Sequence, residues 1–199
     1  MVADVLLTAL AHVWKTLDAA GMRMAVMGGI ALASWKYVRA TRDVDLLVGL
    51  EGNSEDELLG QLRAAGIRPR RQPAVASLGR LRIVQCVYEP PDAFLDLQID
   101  LLLAECPYQH QALARRVPAQ LAGLDVALFV LACEDLILHK LLAGRIIDRV
   151  DCVSLLRLQR ENLDRTYLRQ WAQHLSVMDA LEEVWREAFP TEALPGSDL

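Results

Sequence analysis

The most informative feature of this sequence is Gly28-Gly29, followed by Thr41-Arg42-Asp43-Val44-Asp45. The glycine pair closes an apolar segment, and a helix-length stretch separates it from the two acids. Glycine lets a backbone come close to a phosphate, and a helix N-terminus offers unpaired N–H groups to the same phosphate. Alternate residues of a strand point to one side, so Asp43 and Asp45 would both direct carboxylates at a hard cation such as Mg²⁺. This order suits metal-assisted phosphoryl transfer; the simpler alternative is a tight strand–helix turn followed by a chance pair of acids.

The composition predicts a folded protein with no membrane or secretory segment. The chain has 199 residues, 53% of them hydrophobic, and a net charge of −5, which excludes global disorder and nucleic-acid binding through overall charge. Its apolar stretch at residues 24–35 is shorter than the roughly 20 residues that span a bilayer. The N-terminus carries Asp4 and no basic leader, and the four cysteines form no Cys-x-x-Cys pair. We therefore expect a cytoplasmic protein with reduced thiols and no membrane partner.

Hydrophobic periodicity predicts mixed helices and strands, followed by helices alone. The predicted helices of the first part are 3–20, 30–38, 54–65 and 107–115, its strands are 23–27, 43–50, 80–88, 94–103 and 125–131, and the later helices are 134–143, 147–160, 164–175 and 177–188. Ser54 and Glu57 form a capping-box pattern. This order predicts an α/β core over residues 1–131, a helical segment over 132–190 and a loose tail over 191–199.

The glycine pair and the spaced acids resemble the signature of the nucleotidyltransferase superfamily. The residues that carry the resemblance are Gly28-Gly29-Ile30-Ala31-Leu32-Ala33, Arg39, Thr41 and Asp43-Val44-Asp45-Leu46. They are most similar to the branch that contains AbiEii-type toxins and the lincosamide and aminoglycoside nucleotidyltransferases. The resemblance implies the nucleotidyltransferase fold, a small mixed β-sheet flanked by helices with further helices behind it.

The resemblance also implies a third acid on a nearby strand. In Phe-Leu-Asp-Leu-Gln-Ile-Asp-Leu-Leu-Leu, residues 94–103, alternation puts Asp96, Gln98 and Asp100 on one face. By resemblance the third carboxylate is Asp100, with Asp96 as the other candidate. Asp43, Asp45 and Asp100 would then be both the metal ligands, for two Mg²⁺ ions, and the catalytic acids, with Asp100 as the general base. Gly28 and Gly29 would contact the phosphates of a nucleoside triphosphate.

A second cluster begins at Glu134 and includes Lys140, Arg145, Asp148 and Asp151. It resembles the AbiEii-type motif in which a helix carries Lys-x-x-Ala, then Arg, then Asp-x-x-Asp, and in which the lysine contacts the triphosphate. The chain departs from that motif at Ile147, where the family often has lysine, and this leaves the role of Asp148 open. The alternative is a set of salt bridges on a solvated helix face.

Two groups of arginines have open roles. Arg39 and Arg42 precede the acids and would either pair with the nucleotide or brace Asp43; Arg42 is our candidate for nucleotide binding. Six arginines and no acid lie between Leu58 and Tyr88, namely Arg63, Arg68, Arg70, Arg71, Arg80 and Arg82. They would either grip an acidic acceptor or partner, or simply keep an exposed hairpin edge soluble.

The resemblance predicts an enzyme that transfers a nucleoside monophosphate from an NTP to an acceptor hydroxyl and releases pyrophosphate. The acceptor would be a tRNA, a protein or a small molecule, because the fold does not determine it. A toxin of this kind would have a cognate antitoxin as its partner. The alternatives are a catalytically inactive binding protein with the same fold and an antibiotic-modifying nucleotidyltransferase.

Overall fold

The computed structural model describes residues 2–79, 81–91, 96–192 and 194, which fall into two compact units. The first unit comprises the residues up to Ser34 together with Arg39–Leu131. The second comprises Trp35–Val38 together with the residues from Ala132 onward. The first unit is a mixed α/β structure and the second is helical.

The described part of the first unit contains four helices and an eight-stranded mixed sheet. The elements are α1 (Val2–Ala19), β1 (Arg23–Val26), α2 (Gly28–Ser34), β2 (Asp43–Gly49), α3 (Glu55–Ala64), β3 (Arg68–Pro69), β4 (Val75–Leu78), β5 (Leu81–Tyr88), β6 (Leu97–Leu103), α4 (Pro107–Ala114), β7 (Val117–Ala119) and β8 (Leu128–Val130). The strand order is β3-β5-β6-β2-β1-β8-β7, and β4 pairs with β5. The predicted mixed sheet flanked by helices is therefore confirmed.

The strand β2 lies in the interior of this sheet, antiparallel to β1 and parallel to β6. Its residues Leu46, Leu47 and Val48 are consecutive and fully buried, which indicates that both faces of the strand are covered at this point. The helices α1, α2 and α4 all pack against β2. Only the beginning of β2, with Asp43 and Asp45 half-buried, lacks that full cover. The polar start of an otherwise buried strand is thus where the acids are placed.

Local sequence signals explain where the helices begin and end. In α1, Leu10, Val13 and Leu17 recur at helical spacing and are fully buried. The helix α3 begins with the predicted capping box, in which the Glu57 N–H donates to Ser54 Oγ and the Ser54 N–H donates to the Glu57 carboxylate. These contacts confirm that prediction.

The second unit contains the helices α5 (Cys133–Ala143), α6 (Ile146–Gln159), α7 (Arg165–His174) and α8 (Met178–Ala188). Gly144 lies between α5 and α6 with a φ of 66°, a left-handed conformation that ends α5 and turns the chain. The Asp164 side chain accepts the N–H of Tyr167 and caps α7. All four helices occupy nearly the predicted ranges.

Several predicted boundaries were wrong. The helix α2 covers residues 28–34 rather than 30–38, because the chain turns at Lys36 with a φ of 65° and a helix cannot continue through that conformation. The predicted strand at 125–131 pairs only over Leu128–Val130. The short edge strands β3, β4 and β7 were not predicted, since runs of two to four residues show no clear period.

Some predictions fall on residues outside the description. Outside the described residues lie Arg80, residues 94 and 95 of the predicted strand, and residues 193 and 195–199 of the predicted tail.

All four cysteines are free, as expected. In the part of the chain that the structure describes, no helix has both the length and the apolar character that a membrane span needs.

Candidate active site

The strands β2 and β6 bring Asp45 and Asp100 next to each other. In the parallel register of these strands, Asp45 is the Cα partner of Asp100, and Asp43 is the partner of Gln98. Because side chains alternate along a strand, all four point to the same face of the sheet. Two of the predicted catalytic acids are thus direct neighbours across the strand pair, and the third lies two residues before one of them.

The glycine turn packs directly against these acids. Gly28 has a φ of 62°, and a methyl group added at this residue would overlap the Asp45 carboxylate. A methyl group on Gly29 would come within 2.6 Å of the Thr41 side chain. The Met27 N–H donates to the Asp45 carbonyl at 2.9 Å and joins the turn to β2. Both glycines are therefore needed for the close approach of this turn to the start of β2.

Asp43 is held by the residue two positions before it. The Thr41 hydroxyl donates to Asp43 Oδ1 at 2.5 Å. The Arg42 side chain is exposed, and the Arg39 guanidinium donates to the Ala40 carbonyl at 3.0 Å. Thr41, which is part of the motif quoted from the sequence, thus donates a hydrogen bond to Asp43.

Asp100 is half-buried and is hydrogen-bonded through one of its two carboxylate oxygens. Its Oδ2 accepts hydrogen bonds from Gln98 Nε2 at 2.9 Å and from Gln85 Nε2 at 3.5 Å, whereas its Oδ1 is buried and accepts none within the described residues. Burial raises the pKa of Asp100, and the Asp43 carboxylate raises it further. The two glutamines and Arg70 oppose that rise without cancelling it. A half-buried carboxyl group with one uncommitted oxygen is suited to take up a proton or to bind a cation.

Of the two glutamines that donate hydrogen bonds to Asp100, the sequence pattern indicated Gln98 but not Gln85. Gln98 lies on the same alternating face of β6 as Asp100 and was noted there. Gln85 reaches Asp100 from β5, because the antiparallel register of β5 and β6 makes these two residues partners. Asp96, the other candidate for the third acid, is exposed and precedes β6.

The oxygen donors of these acids suit a magnesium ion. Carboxylate oxygens are the ligands that Mg²⁺ prefers, and Asp100 Oδ1 is a buried oxygen that lacks a hydrogen-bond donor in the described part of the chain. The residues fit the ion in kind. They do not form a finished ligand set, since no three His, Cys, Asp or Glu side chains of the described residues are gathered closely enough to hold a metal.

The second predicted cluster is a buried ion network within the helical unit. Lys140 Nζ lies 2.6 Å from Asp151 Oδ2 and 3.4 Å from Asp148 Oδ1, and the three side chains are at most 4% exposed. Arg145 Nε donates to Asp148 Oδ2 at 2.7 Å. Burial alone would raise the pKa of Asp148, but the hydrogen bonds and charge of Arg145 and the charge of Lys140 outweigh it and lower that pKa. These contacts are the salt bridges of the alternative interpretation, but Lys140, Asp148 and Asp151 are buried and do not lie on a solvated face.

His139 lies beside this network on α5. Its Nδ1 is 2.9 Å from the Asp135 carbonyl, and its ring is buried. Burial lowers the pKa of His139 to about 4, against the opposing effect of that hydrogen bond. The ring is therefore neutral at physiological pH, with Nδ1–H as the donor to the carbonyl.

Comparison with known proteins gives a fold. No family model and no curated protein matches this sequence. The solution structure of the antibiotic-resistance factor ANT(2'')-Ia is similar over 94% of this chain and 100% of that chain, with 18% identity and a TM-score of 0.57. The crystal structure of ANT(2'')-Ia with adenylyl-2''-tobramycin is similar over 88% of this chain and 95% of that one, with 17% identity and a TM-score of 0.50.

A third solved structure is similar at a lower score. It is an antigenic nucleotidyltransferase-like protein from Paracoccidioides brasiliensis, with 20% identity, coverage of 88% of this chain and 93% of that one, and a TM-score of 0.48. At such identities a structural likeness is evidence about architecture, not about substrates. The mixed sheet, the glycine turn and the two ANT(2'')-Ia structures together show that this chain has the nucleotidyltransferase fold.

Proposed function

We propose that this chain is a Mg²⁺-dependent nucleotidyltransferase of the AbiEii-like branch. It would transfer a nucleoside monophosphate from an NTP to an acceptor hydroxyl and release pyrophosphate. The observation that supports this most strongly is the register of Asp45 and Asp100 on adjacent parallel strands, beside a glycine turn that closes on Asp45.

The residues of the site would have separate tasks. Asp43, Asp45 and Asp100 would hold the metal, which we propose to be two Mg²⁺ ions. Bound Mg²⁺ would neutralise charge on the triphosphate and on the departing pyrophosphate. Gly28 and Gly29 leave space for the phosphates to approach the backbone, and Arg42, which is exposed beside Asp43, would pair with them.

Asp100 would accept the proton of the acceptor hydroxyl at its Oδ1. The acceptor oxygen would form a bond to the α-phosphorus as the bond from that phosphorus to the bridging oxygen breaks. A base is most effective when its pKa lies near the working pH, and burial moves the pKa of Asp100 upward in that direction. Gln98 and Gln85 fix Oδ2 and thereby orient Oδ1.

The role of Lys140 is separate from this assignment. Its ion pairs with Asp151 and Asp148 support a structural role. If Lys140 moved away to contact a triphosphate, two buried carboxylates would lose their compensating positive charge. Contact between Lys140 and the triphosphate stays a prediction. So does the role of a toxin with a cognate antitoxin, for which the described residues give no specific support.

The proposal is tested in two steps. Calorimetry with Mg²⁺ and a non-hydrolysable NTP analogue measures binding, and α-labelled NTPs offered with tRNA, protein and aminoglycoside acceptors measure transfer. We expect binding and label on one acceptor class, both lost in Asp45→Asn. An absence of NTP binding would contradict the proposal.

Each of the two alternative functions is supported by one observation. Within the described residues the acids do not lie close enough together to hold a metal. This favours an inactive binding protein, which would bind the NTP analogue and label no acceptor. The likeness to ANT(2'')-Ia favours an antibiotic-modifying enzyme, which would label the aminoglycoside.

A further inference from the structure

Two arginines of the predicted arginine-rich segment are linked to Asp100 through glutamines. Arg70 Nη1 donates to Gln98 Oε1 at 2.8 Å, and Arg71 Nη2 donates to Gln85 Oε1. The amide nitrogens of the same two glutamines donate to Asp100 Oδ2. Each guanidinium is therefore fixed one glutamine away from the proposed general base.

Neither arginine forms an ion pair within the described residues, although the charge of Arg70 acts on the nearby Asp100. Arg70 and Arg71 are exposed, and within the described part of the chain their partners are neutral glutamines and not carboxylates. Arg82, from the same segment, is different: it lies 2.7 Å from Glu55 and 2.9 Å from Glu105. Arg82 is thus engaged in ion pairs, whereas Arg70 and Arg71 present their guanidinium groups to solvent near Asp100.

The contacts of Arg70 and Arg71 differ in kind from those of Arg82. An exposed arginine that serves the fold alone gains most from a carboxylate partner, as Arg82 does. A neutral glutamine fixes the guanidinium in place and leaves most of its five N–H donors available. Fixed guanidinium groups with free donors are the usual means by which proteins bind phosphate.

We propose that Arg70 and Arg71 form a phosphate-binding subsite for the acceptor, so that the acceptor of this transferase carries a phosphate near the hydroxyl it presents to Asp100. This inference rests on the proposed function and narrows its acceptor class. Polycationic acceptors such as aminoglycosides are disfavoured, because two exposed positive charges beside the base repel them. The phosphate belongs either to the backbone of a polynucleotide end or to a small phosphorylated compound.

The test measures acceptor binding alone, without NTP or metal. The probe is a short single-stranded RNA with a free 3′-hydroxyl and a 5′ fluorophore, followed by anisotropy at several salt concentrations. The test variant is Arg70→Gln/Arg71→Gln. The control is Lys15→Gln/Arg186→Gln, which removes the same two positive charges from exposed residues elsewhere.

We expect the test variant to lose at least about tenfold in affinity and the control to stay close to the wild type. The slope of log affinity against log salt should fall by about 0.7 for each phosphate contact that is removed. Arg70→Lys/Arg71→Lys should bind between the wild type and the glutamine variant, because it keeps the charge and loses the planar fork. This lysine variant also decides the case if the glutamine variant melts early.

Competitors identify the source of the phosphate. Unlabelled RNA of the same length displacing the probe far better than a nucleoside monophosphate indicates a polynucleotide, and equal displacement per phosphate indicates a small phosphorylated compound. Either result supports the subsite. Equal losses in the test and control variants, or no loss in either, would overturn it, as would displacement of the probe by tobramycin at lower concentrations than by RNA.

Failure of this inference is separable from failure of the proposed function. An enzyme that binds NTP and labels a protein or an aminoglycoside, with unchanged rates in Arg70→Gln/Arg71→Gln, would refute the subsite and leave the transferase standing. A chain that binds RNA through these arginines and binds no NTP would refute the transferase instead.

Discussion

Asp45 of β2 and Asp100 of β6 are direct partners in a parallel strand pair, and the Asp45 carboxylate lies against the backbone of Gly28. This relationship joins the glycine turn, the first acid pair and the third acid in one place. It arises from the pairing of two strands that are separated in sequence by α3, β3, β4 and β5. The proposed chemistry depends on that pairing.

The first prediction concerns the glycine turn. Gly28→Ala should lower the free energy of unfolding by at least about 2 kcal/mol, because alanine is strained at a positive φ and its methyl group meets the Asp45 carboxylate. Urea unfolding measures the change. The control is Gly60→Ala in α3, where a methyl group meets nothing within 4 Å. It should stabilise the fold by about 0.5–1 kcal/mol, as alanine does in a helix interior; the same sign for both variants would contradict the prediction.

The strands and side chains of this site could be predicted from the sequence more easily than the pairing of the strands. Alternation along β6 placed Gln98 and Asp100 on one face, because the period of a strand is local. The partnership of Gln85 with Asp100 depends on the register of β5 and β6, which a single sequence does not contain. Arg70 and Arg71 were noticed as charges, but their attachment to Asp100 through glutamines needs the same register.

In the helical unit, too, the sequence indicated contacts between residues but not the surroundings of those contacts. The spacing of Lys140, Asp148 and Asp151 indicated ion pairs, and the pairs exist. Their burial could not be foreseen, since polar residues usually mark the exposed face of a helix. In α5 every residue from Cys133 to Leu141 is buried, including the polar ones.

The second prediction concerns this buried network. Lys140→Met should lower the free energy of unfolding by about 3–5 kcal/mol, because it leaves Asp151 and part of Asp148 buried without their cation. Adding Asp151→Asn should recover part of that loss, since it removes the uncompensated charge. Denaturant unfolding measures both variants. Arg149→Gln, which breaks two ion pairs on exposed side chains, is the control and should change little.

A Lys140→Met variant that keeps its stability would show that the buried network is not structural. If that stable variant also loses NTP affinity, the lysine belongs to the nucleotide site after all.

The third prediction is a pH dependence from His139. Its folded-state pKa of about 4 lies below the unfolded value of about 6.5, so the unfolded state binds the proton more tightly. The stability contribution is complete above pH 6.5 and is lost as the pH falls through about 4, by about 3 kcal/mol in total. Stability against urea, measured at intervals across this window, should fall less steeply for His139→Leu than for the wild type.

The control for that measurement is His174→Leu. His174 makes the same contact to the carbonyl four residues earlier, at 2.7 Å, but on an exposed surface. It should leave the pH dependence unchanged. An equal flattening by both substitutions would show that burial of His139 is not its cause.

The metal–nucleotide site is tested most directly by calorimetric titration of Mg²⁺ with a non-hydrolysable NTP analogue into four proteins. These are the wild type, Asp45→Asn, Asp100→Asn and the control Asp96→Asn, which alters the exposed acid just before β6. We predict that the wild type and Asp96→Asn bind alike, whereas Asp45→Asn and Asp100→Asn lose binding and, with the acceptor present, at least about a hundredfold in rate. Equal binding by all four proteins would contradict the assignment of Asp45 and Asp100. Loss of binding in Asp45→Asn and Asp96→Asn, but not in Asp100→Asn, would move the third acid to Asp96.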